Sequence, residues 1–493
     1  MKNLLKNSGF YFSLVFTLIA IGLIVQAIMF NIVPTKYLIP FIVILVLIVI
    51  GMWYVQLGRK MSKMNKLLGK VIIVILSIIL AIGNWVLYTT GSAFKKIASD
   101  EDVSVYSIVV MKDSEFEKIS DLKNKKFGVV SLGDVEIQNQ ALADVEKDLE
   151  SKPTTVSYQS YIDFGDDLYD RKVDAIVLDE GSRGMLEDNH PDFNFKTKVI
   201  KQYTYKNEAK DISKNVDVTT KPFNVYITGI DTYGTISTRA RSDVNMIVSV
   251  NPKNHQILMI GIPRDFYVPQ TCQNNQLDKL THTGIFGVEC TIETMENYLD
   301  FDVNYYARVN FSSVVNIVDA LGGITVNSPY AFTTLHGKYQ IKKGENQLNG
   351  EETLGFVRER YALTDGDRER SRNQMRVMEA MINKALSSQI ITNYANILEA
   401  VSDSFQTNMS TEEMTSLIKQ QLNDMSSWDI KQIQVSGQGA TMWTPANGFN
   451  AYVMVPNEAC VENAKKLIDK INSGEMITDE DVERQNELVA NAG

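Results

Sequence analysis

The stretch Phe356–Arg376 holds six arginines (Arg358, Arg360, Arg368, Arg370, Arg372 and Arg376) and no lysine, in a chain of formal net charge −10. The choice of arginine matters because its planar fork binds phosphate oxygens in pairs, whereas an ammonium acts as a point charge. Arg358 and Arg360 are two apart in a stretch that reads as extended, so they would share a face. After Gly366 the pattern turns helical, with Asp367 as the expected N-cap and Val377, Met378, Met381 and Leu386 as the buried stripe. Arg370 and Gln374, spaced i, i+4, lead into that stripe and are expected to point inward, near a helix N-terminus that attracts anions. Arg368, Arg372 and Arg376 fall on the solvated side and read as surface charges. Glu359, Asp365, Asp367 and Glu369 are interleaved, so the same segment also fits a salt-bridged exposed helix.

Carboxylates and arginines elsewhere favour an anion site. One strand, Phe223–Ile230, runs into Asp231; a second, Val244–Val250, follows Arg241-Ser242-Asp243; a third, Gln256–Ile262, runs into Pro263-Arg264-Asp265. The link Asn251-Pro252-Lys253-Asn254-His255 is short and turn-forming, so the second and third strands should pair antiparallel. With the first strand also antiparallel to the second, Asp231, Arg241, Asp243 and Arg264 would emerge at one sheet edge. Asp231 and Asp243 can hold Mg²⁺, a hard ion that takes few carboxylates and keeps positions for phosphate oxygens, while the arginines neutralise the rest of a pyrophosphate.

The elements that position this set fall into units set apart by composition. Residues 1–90 contain eight Lys or Arg and no Asp or Glu, which leaves a net charge of −18 on residues 91–493. In the basic part, Phe10–Phe30, Tyr37–Leu57 and Val71–Tyr88 are apolar runs of about the ~20 residues that a membrane-crossing helix needs. The loop from Arg59 to Lys70 carries five positive charges and the loop from Asn31 to Lys36 one, so the N-terminus is expected in the cytoplasm and residue 91 onward outside it. A multi-pass cell-membrane protein is the expectation, with residues 1–90 as three transmembrane helices.

Residues 95–215 alternate short apolar strands with amphipathic helices and read as a small accessory α/β domain. Its run Ile119–Val129 resembles the opening of a lobe from solute-binding proteins, and a spacer without a ligand fits equally. Residues 222–456 form a longer α/β domain; 457–493 give one amphipathic helix and an acidic tail expected to be peripheral. Cys272, Cys290 and Cys460 all lie in the acidic part; the first two could pair in an oxidising compartment, and no CxxC points to zinc or thiol redox chemistry. The acidic balance disfavours nucleic acid as a partner, and no Walker A loop is present.

Taken in order, Asp231, Arg241-Ser242-Asp243, Pro263-Arg264-Asp265, Asp278-Lys279-Leu280-Thr281-His282 with Gly284, and Arg358–Gln374 resemble the LytR-CpsA-Psr family of cell-wall glycopolymer ligases over about Phe223–Ser387. Three spans and an extra domain ahead of the matching one look most like the capsule-type members. The resemblance implies an α/β/α sandwich with a mixed central sheet. It also implies transfer of a glycan, capsular or teichoic-acid-like, from a polyprenyl pyrophosphate carrier to peptidoglycan. In that reading Asp231, Asp243 and Arg264 are catalytic, Asp231 and Asp243 hold Mg²⁺, and Arg241, Arg264, Arg358, Arg360, Arg370 and Gln374 cradle the pyrophosphate. Asp231 could serve as base or as metal ligand. An apolar tunnel for the lipid is implied, with Ile292–Leu299 and Val314–Leu321 as its candidate walls. Asn373 stands where members often carry a further arginine. Hydrolysis of the same lipid pyrophosphate, or non-catalytic lipid sensing, would need no different residues.

Overall fold

The computed structural model describes residues 7–98, 101–132, 135–207, 210–230, 236–387, 397–402 and 404–492. Helices α1 (Ser8–Phe30), α2 (Thr35–Leu57) and α3 (Lys63–Ile97) follow the apolar runs, and each is long and apolar enough to cross a membrane. Side chains such as Leu18, Leu47 and Ile79 stay exposed on them, as suits helices whose solvent is hydrocarbon. At 35 residues α3 outruns a single crossing. It continues past Tyr88 because Thr90, Gly91, Phe94 and Ile97 bury a stripe at helical spacing.

The next unit contains β1 (Val103–Met111), β2 (Lys126–Val130), α4 (Val135–Leu149), β3 (Thr154–Tyr158), α5 (Tyr161–Tyr169), β4 (Ala175–Asp179), α6 (Arg183–Asn189), α7 (Phe193–Lys196) and β5 (Thr197–Lys206). Its sheet runs β3-β2-β4-β1-β5, parallel from β3 to β4 and antiparallel at β1. β5 escapes an apolar-run reading because Lys and Gln interrupt its Val, Ile and Tyr and most of the strand is partly exposed.

The third unit is built on β6 (Phe223–Ile230), β7 (Ser242–Asn251) and β8 (Gln256–Ile262), antiparallel as the turn at Asn251–His255 requires. After β9 (Tyr267–Gln270) and β10 (Gln276–Lys279) come α8 (Val288–Leu299), β11 (Tyr305–Asn310) and α9 (Phe311–Ala320). Small strand pairs follow, β12 (Ile324–Ser328) with β15 (Gly344–Leu348) and β13 (Phe332–Thr333) with β14 (Gln340–Ile341). Then come α10 (Gly350–Arg358), α11 (Asp367–Leu386), β16 (Gln406–Thr407), α12 (Thr411–Asp424), β17 (Asp429–Gln434), the ribbon β18 (Gly437–Thr444) and β19 (Phe449–Pro456), α13 (Glu458–Asn472) and α14 (Asp479–Ala490). The central sheet runs β16-β11-β6-β7-β8-β17, with β11 parallel to β6 and β17 parallel to β8, so it is mixed.

Period-two alternation sends side chains to opposite faces of this sheet. Tyr226, Ile247, Leu258 and Ile260 pack under α8, α13 and α14, while Ile227, Met246, Val248 and Met259 face α11 and α12. The molecule is thus mixed α/β, with this unit an α/β/α sandwich. Contrary to expectation, the acidic tail belongs to the core: Val489 is buried, and buried Gln485 donates to the Gln434 carbonyl at 2.7 Å. The buried positions are too few among its acids for the pattern to announce them. Cys272 and Cys290 form a disulfide with Cα atoms 5.3 Å apart, and Cys460 is buried and free.

Candidate active site

A cavity of about 410 Å³ lies between the sheet and the helices α9, α10 and α11. Arg241, Asp243, Arg264, Arg358, Arg360, Arg370 and Gln374 all line it. Its remaining wall is largely apolar, with Ile227 and Met246 from the sheet, Val314 and Ile317 from α9, Val357 from α10, and Met378 and Met381 from α11. Every anion-site residue named from the sequence therefore meets at this cavity except Asp231, which lies outside the described residues.

Strand pairing brings the polar end together. The antiparallel β7–β8 register sets Asn245 beside Ile262, so Asp243, near the start of β7, adjoins the Pro263-Arg264-Asp265 turn that follows β8. Arg264 Nη1 donates to Asp243 Oδ1 at 2.8 Å, and the Thr281 hydroxyl donates to the same oxygen at 3.1 Å. Burial opposes ionisation of Asp243, but Arg264, Arg241 and Arg370 together outweigh it and hold its carboxyl well below the usual carboxylate range. Asp243 in turn raises Arg264 against burial, whereas burial dominates at Arg370 and lowers it. Two buried donors, Arg264 Nε and Arg370 Nε, have no hydrogen-bond acceptor among the described residues.

The arginine-rich segment is organised by acids that looked like surface charges. Glu359 is buried; its Oε1 accepts from the backbone N–H groups of Arg360, Tyr361 and Ala362, and its Oε2 from that of Leu335. That carboxylate shapes the turn after α10. Arg358 is the last residue of the helix, with its guanidinium 4.1 Å from the Phe311 ring centroid, and Arg360 stands where the turn begins; Glu359 between them is extended, but Arg358 is helical, so the expected extended stretch does not form. α11 begins after Gly366, whose φ of +54° suits glycine, and Asp367 is its first helical residue in place of the expected cap. There Asp367 accepts from Arg370 Nη2 at 2.7 Å. Arg372 and Arg376 are half-buried partners of Glu369, which is 1% exposed, so they too are more than solvated surface charges. Asn373 is buried beside Arg376 at 2.6 Å and does not line the cavity. Of the two helices expected to wall a tunnel, α9 does so, while α8 packs on the opposite face of the sheet.

Residues 192–469 match the LytR_cpsA_psr family model. The chain belongs to the LytR_cpsA_psr family. TagU of Bacillus licheniformis, a polyisoprenyl-teichoic acid–peptidoglycan teichoic acid transferase, is 36% identical over 210 residues, which is 42% of this chain and 67% of that protein. The enzyme of the same name from Bacillus subtilis is 34% identical over 247 residues, 50% of this chain and 77% of the relative. Among solved structures, B. subtilis TagV is 28% identical and is covered to 99% by 52% of this chain, with a TM-score of 0.45. These LytR_cpsA_psr relatives are named as transferases; their names concern a lipid-carried teichoic acid and peptidoglycan.

Sequence reasoning missed Asp188, which lines the same cavity from the preceding α/β unit. No spacing or composition signal ties it to residues some fifty positions later. Glu359 and Glu369 carry a signal with two meanings, since acids interleaved with arginines fit a buried ion-pair network as well as a solvated one.

Proposed function

We propose that this LytR_cpsA_psr protein is a phosphotransferase that moves a glycopolymer, capsular or teichoic-acid-like, from polyprenyl pyrophosphate to peptidoglycan on the outer side of the cell membrane. The observation that carries the reading is one cavity whose polar end is lined by five arginines and whose other walls are apolar. A diphosphate head and a hydrocarbon tail need that combination in one ligand. The names of the relatives and the three long apolar helices support the same reading.

In the reaction proposed, an acceptor hydroxyl attacks the glycan-side phosphorus. The bond from that phosphorus to the bridging oxygen breaks, and polyprenyl phosphate leaves with the electron pair. Arg264 and Arg370 spread the charge that builds on the phosphoryl oxygens. Asp243, pressed to low proton affinity by its arginine neighbours, is a poor base. Asp231 is the carboxylate to test as proton acceptor, or in its place as a ligand to the metal.

Mg²⁺ fits the donors here in a limited way. Arg264 and Thr281 both donate to Asp243 Oδ1, which leaves its second oxygen for a hard cation. Mg²⁺ completes its shell with water and phosphate oxygens and needs few protein carboxylates. Asp243, with Asp231, would hold the ion, which when bound would neutralise diphosphate charge.

The test uses the full-length protein in liposomes with carrier-linked glycan and peptidoglycan, with and without Mg²⁺. Polymer covalently joined to peptidoglycan, lost in Asp243→Ala, is expected. Free phosphorylated glycan with no joined polymer would make the protein a hydrolase. Biological output that survives Asp243→Ala, with no turnover from the wild type, would make it a sensor.

A further inference from the structure

Asp188 belongs to α6 of the small α/β unit, yet it reaches the anion site. Its Oδ2 accepts from Arg241 Nη1 at 2.6 Å, and the side chains are 57% and 7% exposed respectively. One turn earlier, Gly184 lies against the same guanidinium: a Cβ there would stand 2.3 Å from Nη2 and 2.7 Å from Cζ. The helix thus sets bare backbone on Arg241 and a carboxylate at its edge. Just before α6 the chain abuts the neighbouring unit again, at Arg239. A Cβ on Gly181 would lie 2.8 Å from the Arg239 carbonyl oxygen, and Arg239 Nε pairs with Asp102 Oδ2 at 2.5 Å.

We propose that α6 completes the pyrophosphate site of the neighbouring unit, with Asp188 as the positioning residue that fixes Arg241 for its phosphate contact. The proposal rests on the lipid-diphosphate reading given above. Two effects of Asp188 oppose each other: it orients Arg241, and its charge repels a bound diphosphate. Orientation wins, because the charge of a carboxylate more than half exposed is screened by water and salt at the distance of a bound diphosphate, whereas its hydrogen bond to the enclosed Arg241 is direct and holds the guanidinium in one rotamer before a ligand arrives. An extra α/β unit ahead of the anion-binding one then has a task in that site, beyond spacing it from the membrane.

Farnesyl pyrophosphate binding and steady-state transfer, measured on the full-length protein, test this. In Asp188→Ala the Kd for farnesyl pyrophosphate and the KM for the carrier-linked donor should both rise about tenfold, the scale of one charge-assisted hydrogen bond, while kcat changes far less. Asp188→Glu should recover most of the loss. Gly184→Ala, which crowds the guanidinium without touching the carboxylate, should raise KM in the same way and lower the melting temperature slightly, because its Cβ would stand inside contact distance of the enclosed Arg241. If both variants fold and bind like the wild type, or if Asp188→Ala binds more tightly, Asp188 does not position Arg241. If the wild type binds no lipid diphosphate, the functional reading itself falls, and the two failures are told apart by that control.

Discussion

One partly buried carboxylate, Asp243, lines the cavity among its arginines and is bonded directly to Arg264. Asp243 holds its proton far less tightly in the folded chain than an ordinary aspartate near 3.9, so it adds stability that is complete above about pH 5 and is lost as acid approaches its lowered value. The melting-temperature gap between wild type and Asp243→Asn should therefore be flat from about pH 8 to 5 and close only below about pH 4. A gap already shrinking between pH 7 and 5 would mean that Arg264, Arg241 and Arg370 do not govern it. At this scale the sequence was legible wherever residue type was the signal: arginine without lysine named Arg358, Arg360 and Arg370, and strand ends named Arg241, Asp243 and Arg264. Glu359 was not legible, because what buries it is the set of backbone N–H groups around its carboxylate, and a sequence does not display where those donors point.

At the scale of elements, hydrophobic period and turn chemistry were enough to place β6, β7 and β8 and to bring their ends together. Which face each helix covers was less accessible: α8 and α9 have similar amphipathic patterns, yet only α9 borders the cavity, because the crossover after each strand decides the side. The apolar wall has a consequence for substrate length. Met378 is partly buried and lines the cavity one turn beyond Gln374, along α11 from Arg370. Met378→Trp should fill that limb and lower kcat/KM for a long-chain carrier at least about tenfold, by displacing several buried methylenes. Inorganic pyrophosphate should bind such a variant as it binds the wild type. Equal losses for long-chain and short-chain donors would show that the tail lies elsewhere.

Across the whole molecule, charge asymmetry divided the chain at residue 90, and the structure adds contacts that a charge count cannot supply. Lys419 Nζ on α12 donates to Asn31 Oδ1 at 2.7 Å, and Lys36 Nζ donates to the Asn423 carbonyl, so α12 rests on the loop between α1 and α2. A Cβ on Gly91 would fall 1.9 Å from the Phe30 ring, which puts the end of α1 beside the last turns of α3. That end of the bundle carries the two folded units; the basic loop Arg59–Ser62, joining α2 to α3, sits at the other end. α11 connects this arrangement to the site, because the Leu386 carbonyl at its far end accepts from Gln421 of α12 at 3.3 Å. From Arg370 to Leu386 the helix thus leads from the arginine-lined end of the cavity toward the loop between α1 and α2, the direction from which a lipid tail would enter under the proposed function. In the topology proposed, which follows the positive-inside rule, Asn31–Lys36 lie outside. In intact cells, a membrane-impermeant maleimide should label Lys36→Cys, and should label Ser62→Cys only after permeabilisation. The native cysteines are silent in this assay, since Cys272 and Cys290 are paired and Cys460 is buried. The pair Asn31→Cys and Lys419→Cys should be joined by a bismaleimide that spans the reach of the lost lysine side chain, since a direct disulfide needs Cα atoms within about 7 Å. Labelling of Ser62→Cys from outside would invert the bundle, leave the arginine-lined cavity facing the cytoplasm, and remove peptidoglycan from its reach.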